Sequence, residues 1–188
     1  MDSSTRPDDN PVAAAIDRLA DALRGAGHRH ALIGGLACNL YVVPRLSWDL
    51  DVLVEGDTNA MESLAMALGR RGFAIAPLPT DEALAADFVR LRYEPNGLQI
   101  DLHPARTDFE REVLARARYL DDSLPLPVAT PEDLAVMKLV AYRYNDRRDL
   151  PKLAGLDGFD WGYVEGWART WQVEGRLQRL RQGTISLQ

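Results

Sequence analysis

Residues 31–55, ALIGGLACNLYVVPRLSWDLDVLVE, decide the fold of this chain. The pattern predicts a strand that ends at Gly34-Gly35, then a short helix, then a second strand that contains Asp49 and Asp51. Because side chains alternate along a strand, the two carboxylates share a face and repel each other unless a cation lies between them. Carboxylate oxygens at this spacing suit Mg²⁺.

The paired glycines Gly34 and Gly35 add a second feature to this stretch. Glycine at a strand-to-helix turn lets backbone N–H groups approach a phosphate closely, and the helix N-terminus adds positive potential. Alternating acidic and apolar residues are by themselves also typical of an ordinary wet strand face. Together with Arg45, however, the glycines favour a metal pair beside a phosphate site, which indicates phosphoryl or nucleotidyl transfer.

Gly34-Gly35, followed after thirteen residues by Asp49-Leu50-Asp51, resembles the signature of the DNA polymerase β-like nucleotidyltransferase superfamily. The longer pattern Arg45-x-Ser47-x-Asp49-Leu50-Asp51 is similar to the AbiEii type, which is found among toxins of toxin–antitoxin pairs. A similar arrangement occurs in antibiotic nucleotidyltransferases of the lincosamide and aminoglycoside kind. Many relatives have Gly-Ser at the turn, so a hydroxyl contact there is missing in this chain.

The resemblance implies an α/β (α+β) fold: a minimal nucleotidyltransferase core with a mixed sheet flanked by helices, plus a helical C-terminal lobe. It implies that Asp49, Asp51 and Asp101 bind Mg²⁺ or Mn²⁺ and that NTP is the substrate. Asp101 matches the third carboxylate because it lies between apolar residues on another predicted strand; a polar residue on an exposed face is the alternative. The nucleotide contacts would come from Gly34, Gly35, Arg45, Ser47 and Lys138.

Residues 88–93 and 98–103 are predicted to pair as a hairpin, because Asn96-Gly97 between them is a turn signal. His103 shares the predicted strand face of Asp101. It could approach the site, but we favour a solvated strand end.

Thr130-Pro131-Glu132-Asp133 predicts the start of a helix whose segment LAVMKLVAY, residues 134–142, has one charge, Lys138. A buried ammonium must reach water or face an anion. The resemblance assigns Lys138 a phosphate contact and places Asp149, in Arg148-Asp149-Leu150, in the active site. One unbroken helix would put Asp149 about 16 Å from Lys138. We therefore expect a break near Asn145-Asp146 or an indirect role for Asp149, with Asp146 as the competing candidate.

Composition limits the class of protein. The 188 residues predict a disordered segment 1–10, a core domain 11–128 and a helical lobe 129–188. One cysteine, a polar acidic start and no apolar run near the ~20 residues of a membrane span predict a cytoplasmic protein that does not enter a membrane. Residues 138–188 hold 9 Lys/Arg and 6 Asp/Glu, whereas residues 1–137 hold 13 and 22. The acidic part argues against a broad nucleic-acid surface, while the basic tail could contact an RNA end or an acidic partner.

The acceptor is not decided by the sequence. The AbiEii resemblance implies transfer to RNA or protein, with an antitoxin as a possible partner. The antibiotic-modifying relatives imply a small hydroxyl compound. A non-catalytic module that binds nucleotide or a partner protein is the third interpretation.

Overall fold

The computed structural model describes residues 11–44, 49–77 and 88–186. Arg45 and Ser47, which are predicted to contact nucleotide, and residues 1–10, which are predicted to be disordered, lie outside these ranges. The described helices and strands are, in chain order, α1 (Pro11–Gly25), β1 (His30–Ile33), α2 (Gly34–Asn39), β2 (Asp49–Glu55), α3 (Thr58–Gly69), β3 (Phe73–Ile75), β4 (Val89–Tyr93), β5 (Leu98–Ala105), α4 (Asp108–Arg116), α5 (Pro131–Ala141), α6 (Tyr144–Ala154), α7 (Trp161–Thr170) and α8 (Glu174–Arg181).

The described chain forms two compact units. The first unit contains the described residues of Met1–Leu36 and Ser47–Val128, and the second unit contains those of Ala37–Leu46 and Ala129–Gln188. The predicted domains 11–128 and 129–188 remain a prediction about independent folding. None of the helices in the described ranges has both the length and the apolar character that crossing a bilayer requires.

The first unit is built on a five-stranded mixed sheet in the order β1-β2-β5-β4-β3. Strand β2 is antiparallel to β1 and parallel to β5, and the other neighbours are antiparallel. Helix α3 packs against β3, β4 and β5, and helix α4 packs against β1 and β2. This mixed sheet flanked by helices confirms the predicted fold class.

Strands β2 and β5 are neighbouring inner strands of the sheet, and alternation divides their side chains between its two faces. Leu50, Val52, Ile100 and Leu102 are all fully buried. Because strand side chains alternate, the residues between them point to the opposite face. The central strands therefore present their acidic residues together on that face.

The second unit is helical. Thr130 and Asp133 form a capping box at the start of α5, with Pro131 in the first turn, which confirms the predicted helix start. Helix α5 packs against α6 and α7, and α7 packs against α8. The expected helix break near Asn145-Asp146 is wrong in position: α5 ends at Ala141, and Tyr142 adopts a left-handed conformation with φ of 51°.

Candidate functional site

The register of the sheet brings side chains from three strands into one row. Asp51 of β2 lies directly opposite Asp101 of β5, and Arg90 of β4 lies opposite Asp101 on its other side. Directly opposed residues in a sheet point to the same face. The two carboxylates and the guanidinium therefore meet on the face away from Leu50, Val52, Ile100 and Leu102.

Asp51 and Asp101 come together with His103 rather than with Asp49. One donor atom from each of Asp51, Asp101 and His103 lies within 4.8 Å of the other two. Two ligands about 2.1 Å from one ion lie at most about 4.2 Å apart, so a small closure would place all three around a cation. Two carboxylates and an imidazole are chemically suited to a divalent metal ion. The described residues thus fit the metal that the sequence predicts.

Asp49 belongs to the same face but is more exposed. It lies opposite Gln99, and this pair is two residues along β2 and β5 from the pair of Asp51 and Asp101. Partial desolvation raises the pKa of Asp49, the negative charges of Asp51 and Asp101 raise it further, and Arg90 partly offsets them. The Asp49 carboxylate therefore feels both neighbours electrostatically, and a bound cation would relieve that repulsion.

Arg90 is a site residue that the sequence interpretation missed. Its Nε and Nη2 each donate a hydrogen bond of 2.8 Å to one oxygen of Asp101, which is buried. Such a bidentate pair fixes the carboxylate plane. The signal was present: counting back from the Asn96-Gly97 turn, Tyr93 pairs with Leu98, and the same register pairs Arg90 with Asp101.

His103 also lies in this group, so of the two interpretations of the sequence the approach to the acidic residues describes its position, and the strand end does not. Its Nε2 lies 3.3 Å from Oδ1 of Asp51, and its ring packs at 5.2 Å from the ring of Phe88. The side chain is 31% exposed. The physical reason is the length of the strand: β5 continues to Ala105, so His103 is paired with Leu53 within the sheet and not at the strand end.

Gly34 is held close to the acidic cluster. Its φ of +70° is a left-handed conformation, and an added Cβ would lie 2.0 Å from Oδ2 of Asp51. The space of the missing side chain is therefore filled by the Asp51 carboxylate. This requirement for glycine is separate from the phosphate contact predicted for Gly34 and Gly35, which stays a prediction.

Lys138, Asp146 and Asp149 form an ion-pair cluster in the second unit. The Lys138 Nζ donates to Asp149 at 2.8 Å and to Asp146 at 3.2 Å. Burial alone would lower the pKa of Lys138, but Cys38, Asp149 and Asp146 together raise it, so the ammonium stays charged. The reversal of the chain after α5 removes the ~16 Å separation that an unbroken helix would impose.

Comparisons with known proteins add evidence on the fold. No protein-family model matches the chain, and no curated protein sequence matches it. An antigenic nucleotidyltransferase-like protein from Paracoccidioides brasiliensis is similar in structure, with a TM-score of 0.57 and 15% identity over 93% of this chain and 94% of that one.

Two structures of one further protein are also similar. ANT(2")-Ia in complex with adenylyl-2"-tobramycin gives a TM-score of 0.59 and 14% identity over 88% of this chain and 99% of that one. The solution structure of the antibiotic-resistance factor ANT(2'')-Ia gives 0.50 and 14% over 92% and 90%. At such low identity these matches establish the fold alone: the chain has the fold of solved nucleotidyltransferase-like proteins.

Proposed function

We propose that this protein is a metal-dependent nucleotidyltransferase that moves an NMP group from an NTP to an acceptor hydroxyl. The main support is the meeting of Asp51 and Asp101 from neighbouring parallel strands, with donor atoms of these residues and His103 within 4.8 Å of one another. The fold shared with nucleotidyltransferase-like proteins supports the same chemistry. In this reaction the acceptor oxygen bonds to the α-phosphorus as the bond to the pyrophosphate leaving group breaks.

In this proposal the acidic residues have distinct tasks. Asp49 and Asp51 hold Mg²⁺ or Mn²⁺ with the triphosphate, and Asp101 completes the metal site and accepts the proton of the acceptor hydroxyl. When bound, the metal would neutralise phosphate charge and make that hydroxyl easier to deprotonate. Arg90 keeps the Asp101 carboxylate in one orientation through two hydrogen bonds of 2.8 Å.

The remaining predicted roles come from the sequence. Gly34 and Gly35 would place backbone N–H groups near the triphosphate, and Arg45 and Ser47 would contact the nucleotide. The phosphate contact of Lys138 and the active-site role of Asp149 also stay predictions. Their mutual ion pair supports a stabilising role within the second unit as well.

For the acceptor we propose RNA or protein, as the AbiEii resemblance implies, and an antitoxin partner is part of that prediction. A small hydroxyl compound is the second candidate, because the similar structure of ANT(2")-Ia is a complex with adenylyl-2"-tobramycin. A module that binds nucleotide without transferring it is the third candidate.

One experiment tests the reaction and separates these acceptors. The protein is incubated with each α-labelled NTP, with Mg²⁺ or Mn²⁺, and in turn with cellular RNA, cellular protein, aminoglycosides and lincosamides. Label on one fraction identifies the acceptor class, whereas nucleotide binding without any transfer would support the non-catalytic module.

Asp51→Asn is expected to lower transfer at least about 100-fold, because the amide removes a metal-binding charge while keeping the side-chain shape. Asp108→Asn is the matched control in the same unit, since the Asp108 side chain is 89% exposed and should leave transfer unchanged. The assay compares initial rates of labelled product. Wild-type rates in Asp51→Asn would refute the site assignment.

A further inference from the structure

The acidic cluster of the proposed function has an unusual member, the imidazole of His103. His103 and Asp101 occupy alternate positions of β5, and His103 lies opposite Leu53 of β2 in the parallel register. Its Nε2 is 3.3 Å from Oδ1 of Asp51, and the ring of Phe88 packs against its own ring at 5.2 Å and 40°. Two contacts therefore hold the imidazole with Nε2 toward the carboxylates.

We propose that His103 is a direct metal ligand and that its nitrogen shifts the preference of the site from Mg²⁺ toward Mn²⁺. This inference rests on the metal site of the proposed function but not on the transfer reaction. The donor atoms of His103, Asp51 and Asp101 all lie within 4.8 Å of one another, so one ion can reach all three after a small closure.

Ligand chemistry gives the direction of the shift. Mg²⁺ is a hard ion that takes oxygen ligands and keeps several waters. First-row divalent ions bind sites with nitrogen ligands with an affinity that rises along the series from Mn²⁺, so Mn²⁺ gains more from an imidazole than Mg²⁺ does. Replacing an oxygen ligand by Nε2 therefore favours Mn²⁺. Because a carboxylate only accepts, a hydrogen bond between His103 and Asp51 at 3.3 Å needs the proton on Nε2. Ligation through Nε2 would use the other neutral tautomer, with the proton on Nδ1.

A purely positioning role is the rival explanation for the His103 contact with Asp51. Two substitutions separate it from ligation. His103→Gln keeps an N–H donor near the position of Nε2 but removes the imidazole, while His103→Phe keeps an aromatic ring beside Phe88 and removes both the donor and the ligand. Positioning predicts that only His103→Phe changes metal binding, whereas ligation predicts that both variants do.

The test measures metal binding by the full chain. Mn²⁺ affinity is obtained from the EPR signal of free Mn²⁺ and Mg²⁺ affinity by competition. We expect both variants to weaken Mn²⁺ binding about tenfold or more and His103→Gln to change Mg²⁺ binding less than about threefold, because only Mn²⁺ gains from imidazole nitrogen. His28→Gln is the control, since the chain contains three histidines and His28 lies outside the donor group.

A spectroscopic measurement identifies the ligand without any activity assay. Pulsed EPR of the Mn²⁺-loaded protein should show the coupling of a bound imidazole nitrogen, altered by ¹⁵N-histidine labelling and absent in His103→Gln. Mn²⁺ binding with no nitrogen coupling, or an unchanged Mn²⁺ to Mg²⁺ ratio in His103→Gln, would overturn the ligand proposal alone. If neither the wild type nor Asp51→Asn bound Mn²⁺ or Mg²⁺, the metal site and the proposed function would both be overturned.

Discussion

Gly34 and Asp51 share a space that has room for only one side chain. The left-handed backbone of Gly34, φ +70°, favours glycine, and the 2.0 Å gap between an added Cβ and Oδ2 of Asp51 excludes anything larger. The glycine thus positions a carboxylate as well as shaping a turn. Any side chain at position 34 must move Asp51, its own backbone, or both.

Gly34→Ala is therefore expected to weaken Mn²⁺ binding at least about tenfold and to destabilise the fold by about 1–2 kcal/mol for the left-handed alanine. Gly27→Ala is the matched control: its φ is +73°, and nothing lies within 4 Å of its added Cβ. Urea unfolding and Mn²⁺ titration of both variants separate backbone strain from displacement of Asp51. Equal Mn²⁺ affinity in the two variants would show that the Asp51 carboxylate can be displaced without cost.

At the residue scale, the sequence predicted the carboxylates of the site and missed their partners. Asp51 and Asp101 could be proposed from strand parity and a resemblance. The contacts of Arg90 and His103 with these carboxylates could not be predicted in this way, because a cross-strand contact depends on the register of the sheet and on how deeply the side chains are buried. The Asn96-Gly97 turn indicates the register of β4 with β5, but the burial of their side chains follows only from the complete sheet.

The corner between α5 and α6 is the element that organises the second unit. Tyr142 turns the chain with a φ of 51°, and its ring lies 4.8 Å from the guanidinium of Arg176. The reversal places Asp146 and Asp149 beside Lys138. The sequence predicted a break because one straight helix would separate the charges, but it placed the break too late. Asp146, the competing candidate for the active-site carboxylate, accepts the backbone N–H of Arg143 at the start of α6.

Lys138→Met is expected to lower the free energy of unfolding by about 3–5 kcal/mol, because it leaves two carboxylates in a buried site without their cation. Lys152→Met, on the same helix as Asp149, is the control and should change stability by less than about 0.5 kcal/mol. Urea unfolding measures both. Adding Asp149→Leu to Lys138→Met should recover part of the loss. Similar stability of the two single variants would mean that the Lys138 ammonium is available for another anion, as the sequence prediction of a phosphate contact requires.

At the scale of the whole molecule, we expect stability to depend on pH through a buried histidine at the edge of the sheet. His30 is 7% exposed, its Nδ1–H donates to the carbonyl of His28, and its Nε2 has no hydrogen-bond partner among the described residues. Desolvation lowers the pKa of His30, the His28 carbonyl opposes this, and the nearby charges of Arg24 and His28 lower it further. The folded chain therefore binds a proton at His30 less readily than the unfolded chain does.

Stability is consequently expected to be full above the ordinary histidine pKa of about 6.5 and to fall as the pH drops below it. His30→Asn keeps a donor near the position of Nδ1 but cannot be protonated, so its unfolding free energy should fall less between pH 7 and 5. Urea midpoints across this range provide the measurement, with His103→Asn as the control, because His103 lies on another strand and is not among the causes of the His30 pKa shift. An equally steep fall in His30→Asn would assign the acid sensitivity to other groups.

The fold class was accessible from the resemblance, and β2 and α5 were accessible because strand alternation and helix capping are local patterns. The grouping of distant segments was not, because it depends on long-range packing. The described part of Ala37–Leu46 belongs to the second unit although it lies between β1 and β2 of the first. No local pattern in those residues indicates whether they belong to the first or to the second unit.

The pairing of Arg90 with Asp101 has a consequence for how this protein is made. A guanidinium already satisfies both oxygens of the buried carboxylate, at 2.8 Å each, so the sheet can assemble before any ion arrives. Under the proposed metal-dependent function, folding of the chain and loading of the metal are then separate steps. Protein folded without divalent ions would gain transfer activity on addition of Mg²⁺ or Mn²⁺, without refolding.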